Sequence, residues 1–327
     1  MNFGKSKILA ESALMAALTG VFALISLYVP VAGLFVAMVW IMPVVVVCVR
    51  HGVKMALCAL LIASVIILAL TSPLIAVTMI LPCAVPALLL GMAFQKKLST
   101  AQTLFMVTAG TLVSRLLSFM LLLFVSGMSL GEQLIFMQEQ MKAFWMSLYD
   151  MSSSSGWIEA RMTEEAFLAQ ADQFTTLFYQ MLPSLFLVYS LLSTIFTYIL
   201  TYQILTRIRI ELPVPLPFRL WRWSWWFVWG FIIGLACLLA GSHMEVPVLT
   251  RIGLNFISAF QWIYIINALS MIAFFLGKIN KRWRRSGVFF VVVGFLLFAS
   301  PMIYLMIAIG LSDMLFNLRR LPDRSVS

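Results

Sequence analysis

The sequence predicts an all-α polytopic membrane protein with eight firm spans, and three observations carry that reading. Hydrophobic residues make up 63% of the chain and charged residues only 10%, whereas a soluble domain carries about 25% charge. The mean hydropathy is +1.04, too high for a chain that must cover itself with polar surface. The apolar runs are long and continuous rather than alternating, which favours helices over a barrel, because backbone groups in lipid must pair internally.

A spanning helix needs about 20 mostly apolar residues. Runs that meet or approach this fall at 8–29, 33–49, 53–71, 74–94, 102–127, 175–205, 224–241 and 253–276. Lys5 and Lys7 precede the first run in the manner of a secretory signal. That run is too long for such a signal and no small-residue cleavage site follows it, so it reads as a span. The fourth run, in MILPCAVPALLLG, holds Pro82 and Pro86 four residues apart; each removes a backbone donor, and both are expected to break the helix. After the eighth run, residues 286–318 form an apolar stretch interrupted by Gly294, Pro301 and Gly310. It reads as a pair of short helices, 287–300 and 302–316, parted at Pro301, or else as one long ninth span.

Charge placement sets the orientation. Lys5, Lys7, Arg50, Lys54, Lys96 and Lys97 all fall on one side of alternating spans. So do Arg207, Arg209, Arg219, Arg222, Lys278, Lys281, Arg282, Arg284 and Arg285. The opposite side holds only Lys142, Arg161 and Arg251. By the positive-inside rule the N-terminus is cytoplasmic. The basic group Arg319, Arg320 and Arg324 favours the hairpin ending, which returns the C-terminus to the same side. The run WRWSWWFVW, Trp221–Trp229, reads as an interfacial aromatic anchor. Its position at the head of an apolar run argues against nucleic-acid stacking.

The hydrophilic insert 128–174 then lies outside. It holds Glu132, Glu139, Asp150, Glu159, Glu164, Glu165 and Asp172 against only Lys142 and Arg161. Leu130, Leu134, Met137, Met141, Trp145 and Leu148 recur at helical spacing and form one apolar stripe. Ser152–Ser155 and Gly156 read as a break, and Thr163 before Glu164 and Glu165 as a second helix start. The insert is therefore a helical hairpin, either a surface cover or a lid.

Catalytic signals are missing. The chain has no GxxxxGK[ST] or HExxH pattern, so nucleotide hydrolysis by a P-loop and metalloprotease chemistry are not expected. His51 and His243 are far apart and read as solvated boundary residues. Cys48, Cys58, Cys83 and Cys237 sit singly in apolar runs, as small hydrophobes do. No catalytic residue, metal or cofactor is expected, and no nucleic-acid partner.

Polar residues within spans remain. Arg115, in TLVSRLLSFMLLLF, is the sharpest. A charge at that depth faces the protein interior or a water-filled cavity. Glu11 lies near the inner membrane edge, within reach of Lys7, and is no partner for it. Carbonyls freed by Pro82 and Pro86, a carboxylate of the insert, or an anionic ligand would each satisfy the guanidinium. Asn255, Gln261 and Asn267 share the eighth span and read as helix-to-helix glue or as ligand contacts. Ala13 and Ala17, with Ala16 and Gly20 continuing the ridge, would let another helix approach closely.

Three stretches resemble the YybS-like family of uncharacterised bacterial membrane proteins: ESALMAALTGVFALISLYVPVAG, the proline-rich span ending in LLLGMAFQKK, and GLSDMLFNLRRL. The first six spans are also distantly similar to the substrate-binding S components of energy-coupling-factor transporters. That resemblance implies a six-helix unit that captures a solute from outside and docks on a T component with two ATPases. It also implies that the Ala13/Ala17 ridge meets the T component. The chain departs from S components in its length, its short first loop around Pro30–Gly33, its long insert between spans five and six, and its extra spans after residue 223.

The resulting expectation is an S-component-like unit at 1–207 carrying the insert 128–174, and a C-terminal membrane unit at 208–327. Its function would be solute capture or transport without an ATPase of its own. The alternative is a non-transporting scaffold or regulator whose acidic insert binds an extracytoplasmic protein, with Arg115 as a structural pin.

Overall fold

A computed structural model describes residues 3–29, 36, 39–154, 163–212, 214–279 and 299–321. The described residues are helical, with one 3-10 turn at Phe218–Leu220 and no strand. Six helices are long and apolar enough to cross a bilayer. They lie in α1 (Phe3–Tyr28), α3 (Val53–Leu70), α4 (Pro73–Gln95), α5 (Thr100–Ser126), α8 (Leu182–Arg207) and α10 (Pro247–Lys278). Two of the eight expected spans are shorter. The run expected at 33–49 gives α2, Met42–His51, of 10 residues, and residues 30–35, 37 and 38 lie outside the described set. At 1.5 Å per residue α2 covers roughly 15 Å, about half of the hydrocarbon core. The run expected at 224–241 gives α9, Phe227–His243, of 17 residues, just short of a full crossing.

Local chemistry explains the boundaries. Gly52, at φ 89°, turns the chain between α2 and α3 in a conformation that favours glycine. Ser72 caps α4 through the Ile75 amide at 3.3 Å, with Pro73 at the first helical position, where its missing N–H costs nothing. Ser99 and Gln102 form a capping box on α5. The same device starts the insert, where Ser129 and Glu132 satisfy each other's backbone amides at the head of α6, Leu130–Ser154.

The prolines behave differently from expectation. α4 runs unbroken through Pro82 and Pro86. Neighbouring helices and local adjustments make such prolines tolerable in membrane helices. Pro301 lies in the first turn of α11, Ala299–Phe316, where a proline needs no donor. What precedes that helix, including the rest of the expected 287–300 segment, falls outside the described residues.

The chain divides into two compact units, Met1–Thr175 with Tyr189–Val214, and Thr176–Val188 with Pro215–Ser327. The boundary between the units falls after Val214, and a short segment, 176–188, groups with the second unit. In the first unit α1 packs on α2 and α3, α2 and α3 on α4, and α4 on α5. The insert helix α6 turns Leu134, Met137, Met141, Trp145 and Leu148 to its half-buried side. Trp145 meets Phe167 and Phe174 edge-on, at centroid distances of 6.2 and 5.8 Å. It also donates to the Thr175 hydroxyl at 3.2 Å. Phe167 and Phe174 belong to α7, Glu164–Gln180, and Thr163 caps that helix through the Ala166 amide.

In the second unit α10 packs on α9, α11 and the 3-10 turn. Gly234 on α9 and Gly253 on α10 bring the backbones together, as small residues do in membrane helix pairs, and Gly230 leaves room for the Phe260 ring. Gly310 lies so close to the Tyr264 carbonyl that any side chain there would collide with it.

Candidate functional site

Arg115 sits 15 residues into α5, roughly 22 Å along the axis. Its guanidinium carbon lies 4.2 Å from the centroid of the Tyr189 ring. A stacked aromatic takes the face of the guanidinium plane, while the N–H donors point outward along its edge. The Nε atom is buried and has no hydrogen-bond partner among the described residues. Tyr189 was not legible as the partner, because the search from sequence was for carboxylates and carbonyls.

Arg115 borders a small cavity in the first unit, about 20 Å³ in volume. Pro82 and Pro86 of α4 and Val107 and Thr111 of α5 form part of its wall. Trp40 and Ile41, just ahead of α2, and Ser193, Thr194 and Thr197 of α8 complete it. About one probe sphere, 10–15 Å³, is enough for a water, so the space admits one or two water-sized groups. The Thr111 hydroxyl donates to the Val107 carbonyl at 2.7 Å and Thr197 to the Ser193 carbonyl at 2.8 Å. The Thr194 hydroxyl, with 2% of the residue exposed, has no partner among the described residues.

This cavity lies where two hydroxyl stripes meet. On α5 Thr103, Thr111, Ser114 and Ser118 are buried; on α8 Ser190, Thr194, Thr197 and Thr201 are buried. Both sets follow helical spacing, a signal present in the sequence but hidden among mildly polar residues that membrane helices tolerate.

The three amides belong to the second unit. Asn255 accepts from the Ser184 amide at 2.9 Å and donates to the Gln180 carbonyl at 2.7 Å, tying α10 to the start of α8. Gln261 is half-buried on α10. Asn267 is fully buried and donates to the Gly310 carbonyl at 3.0 Å and to Asp313 at 3.1 Å. It is part of a polar cluster that the sequence reading missed. There Arg319, 4% exposed, donates to the fully buried Asp313 through Nη2 at 2.7 Å and Nε at 3.1 Å. Arg319 also donates to Asn267, to Ser270, and to the carbonyls of Arg219 and Trp221. Ser270 in turn donates to the carbonyls of Phe218 and Trp221. The motif GLSDMLFNLRRL supplied both charges, but their six-residue separation around a helix end gave no local sign of pairing.

The small-residue ridge divides. Ala13 and Ala17 are exposed on α1 beside Leu14 and Leu18. Gly20 is not on that face: it is buried against Ile66, together with the inward-facing Ala16. Gly20 stands four residues after Ala16 and three after Ala17, so it follows Ala16 onto the packed edge of the ridge. At the expected inner end, Glu11 pairs with Arg50 and with His51 at 3.1 Å rather than with Lys7. His51 is accordingly a half-buried hydrogen-bond partner of Glu11 and not a solvated boundary residue.

With these features in place, comparison with known proteins places the chain. It belongs to the family described as "Predicted membrane protein (DUF2232)". The match covers residues 17–314. No curated protein and no solved structure matches it. Family membership and the apolar helices agree on a multi-pass membrane protein in contact with lipid, and the family description assigns no activity.

Proposed function

We propose that this chain is the capture subunit of a transport assembly in a bacterial cytoplasmic membrane, taking up a small solute at Arg115. The observation that carries the reading is the Arg115 cavity, with a charged donor and a buried hydroxyl unpartnered beside it. An intramembrane ionisable residue is costly, so its presence favours a functional role. Eight crossings, α2 and α9 among them, and a cytoplasmic N-terminus fit the charge distribution. Lacking a nucleotide motif, the chain would draw energy from a membrane partner such as an energy-coupling T component with its ATPases. The outward Ala13/Ala17 face of α1 is where that partner would dock.

A second reading, a scaffold or regulator, draws support from the insert, whose exposed Ile135, Phe136, Phe144 and Phe174 lie among acidic residues. A tagged pull-down from the native host in gentle detergent separates the two. Capture predicts a T component and ATPases in the eluate, lost in Ala17→Leu. Cell-envelope proteins alone, lost on deleting 128–174, would replace capture with the scaffold reading.

A further inference from the structure

We propose that the Arg115 cavity binds one small monovalent anion of halide size, held by Arg115 Nε–H and the Thr194 hydroxyl. The inference rests on the reading of Arg115 as a ligand-binding residue and names the class of ligand.

Four features converge on that class. The first is charge: among the described residues lining the cavity Arg115 is a cation and none is an acid. Water in the cavity would solvate the guanidinium but could not neutralise it, and an unpaired charge away from water is unfavourable. The second is direction. Tyr189 stands against the guanidinium, 4.2 Å from ring centroid to its carbon, while the buried Nε–H has no acceptor among the described residues and remains for one. The third is the wall chemistry. Thr111, Ser193, Thr194 and Thr197 contribute hydroxyls, whose protons rotate to suit the guest, and the Thr194 hydroxyl is buried without a partner. The fourth is size. At about 20 Å³ the cavity takes one or two water-sized groups. A tetrahedral oxyanion or a lipid phosphate with its substituents is too large.

The test uses the full chain in neutral phosphatidylcholine nanodiscs. Chloride replaces gluconate at constant ionic strength, with thermal unfolding as the readout. A ligand that binds only the folded state raises Tm in proportion to the logarithm of its occupancy ratio. Wild type is expected to gain stability with chloride and with bromide, but not with sulfate. Arg115→Gln is expected to lose the dependence. Thr194→Val keeps the shape of the side chain and is expected to move the chloride midpoint up by about twofold to tenfold, the worth of one hydrogen bond. It serves if Arg115→Gln fails to fold. No chloride response in wild type, or an undiminished response in Thr194→Val and Arg115→Gln, would overturn the proposal. A chloride response that persists when no transport partner is ever recovered supports the anion site while removing the capture reading.

Discussion

Replacing Arg319 with alanine should destabilise the second unit more than any surface substitution. In the wild-type structure the guanidinium serves Asp313, Asn267, Ser270 and two backbone carbonyls. Without it, the Asp313 carboxylate stays fully buried and, among the described residues, keeps only the Asn267 amide as a donor. Breaking a buried ion pair by removing one partner costs about 3–5 kcal/mol, and the same range is expected here. Removing both charges should be far milder. In Arg319→Met with Asp313→Leu, Ser270 still donates to Phe218 and Trp221 and Asn267 still donates to Gly310. The double variant is therefore expected to cost no more than roughly 2 kcal/mol, since apolar replacements of buried pairs are often neutral. A double-mutant cycle by reversible unfolding in mixed micelles measures the coupling. Additive single and double effects would refute the reasoning, because they would mean that Asp313 and Arg319 do not depend on each other.

Two further outcomes follow from the geometry. Gly310→Val should force α11 away from the Tyr264 carbonyl and cost about 1–3 kcal/mol or more, as overpacking does; the same unfolding assay reads it. At the insert, hydrogen bonds from the Ser129 amide and hydroxyl hold the Glu132 carboxyl below the usual carboxylate range. A depressed folded pKa means that the cap is at full strength above the ordinary glutamate value and is lost as pH falls through the lower, folded value. Amide protection at the head of α6, corrected for the intrinsic pH dependence of exchange, should fall on acidification in wild type, and Glu132→Gln should remove that pH dependence. An acid response identical in the two proteins would contradict the assignment.

The parts of this fold that the sequence exposed are those written in local patterns. Continuous apolar runs located the six long helices, and the 3-and-4 spacing of Leu134, Met137, Met141, Trp145 and Leu148 identified the inner side of α6. Length was harder to read. Hydropathy does not distinguish a spanning helix from α2, whose valines are buried by neighbouring protein. Pro82 and Pro86 misled because proline's cost depends on what else can meet the freed carbonyls, a property of the surroundings. Arg115 was visible as an anomaly, but Tyr189 and the hydroxyls of α8, about 75 residues or more away in sequence, were joined to it only by packing. The Asp313–Arg319 cluster was hidden for the same reason, since Asn267 and Ser270 lie about 50 residues away in sequence and the other two partners of Arg319 are backbone carbonyls, which sequence does not distinguish.

The most direct test of Arg115 as an anion-binding residue is an anomalous diffraction map from crystals of the full chain grown in bromide. The account predicts a peak in the first unit within hydrogen-bonding distance of Arg115 Nε and Thr194 Oγ1, absent from crystals of Arg115→Gln. A cavity holding only water, in crystals whose surface bromide sites are occupied, would contradict it and leave Arg115 as a structural pin against Tyr189.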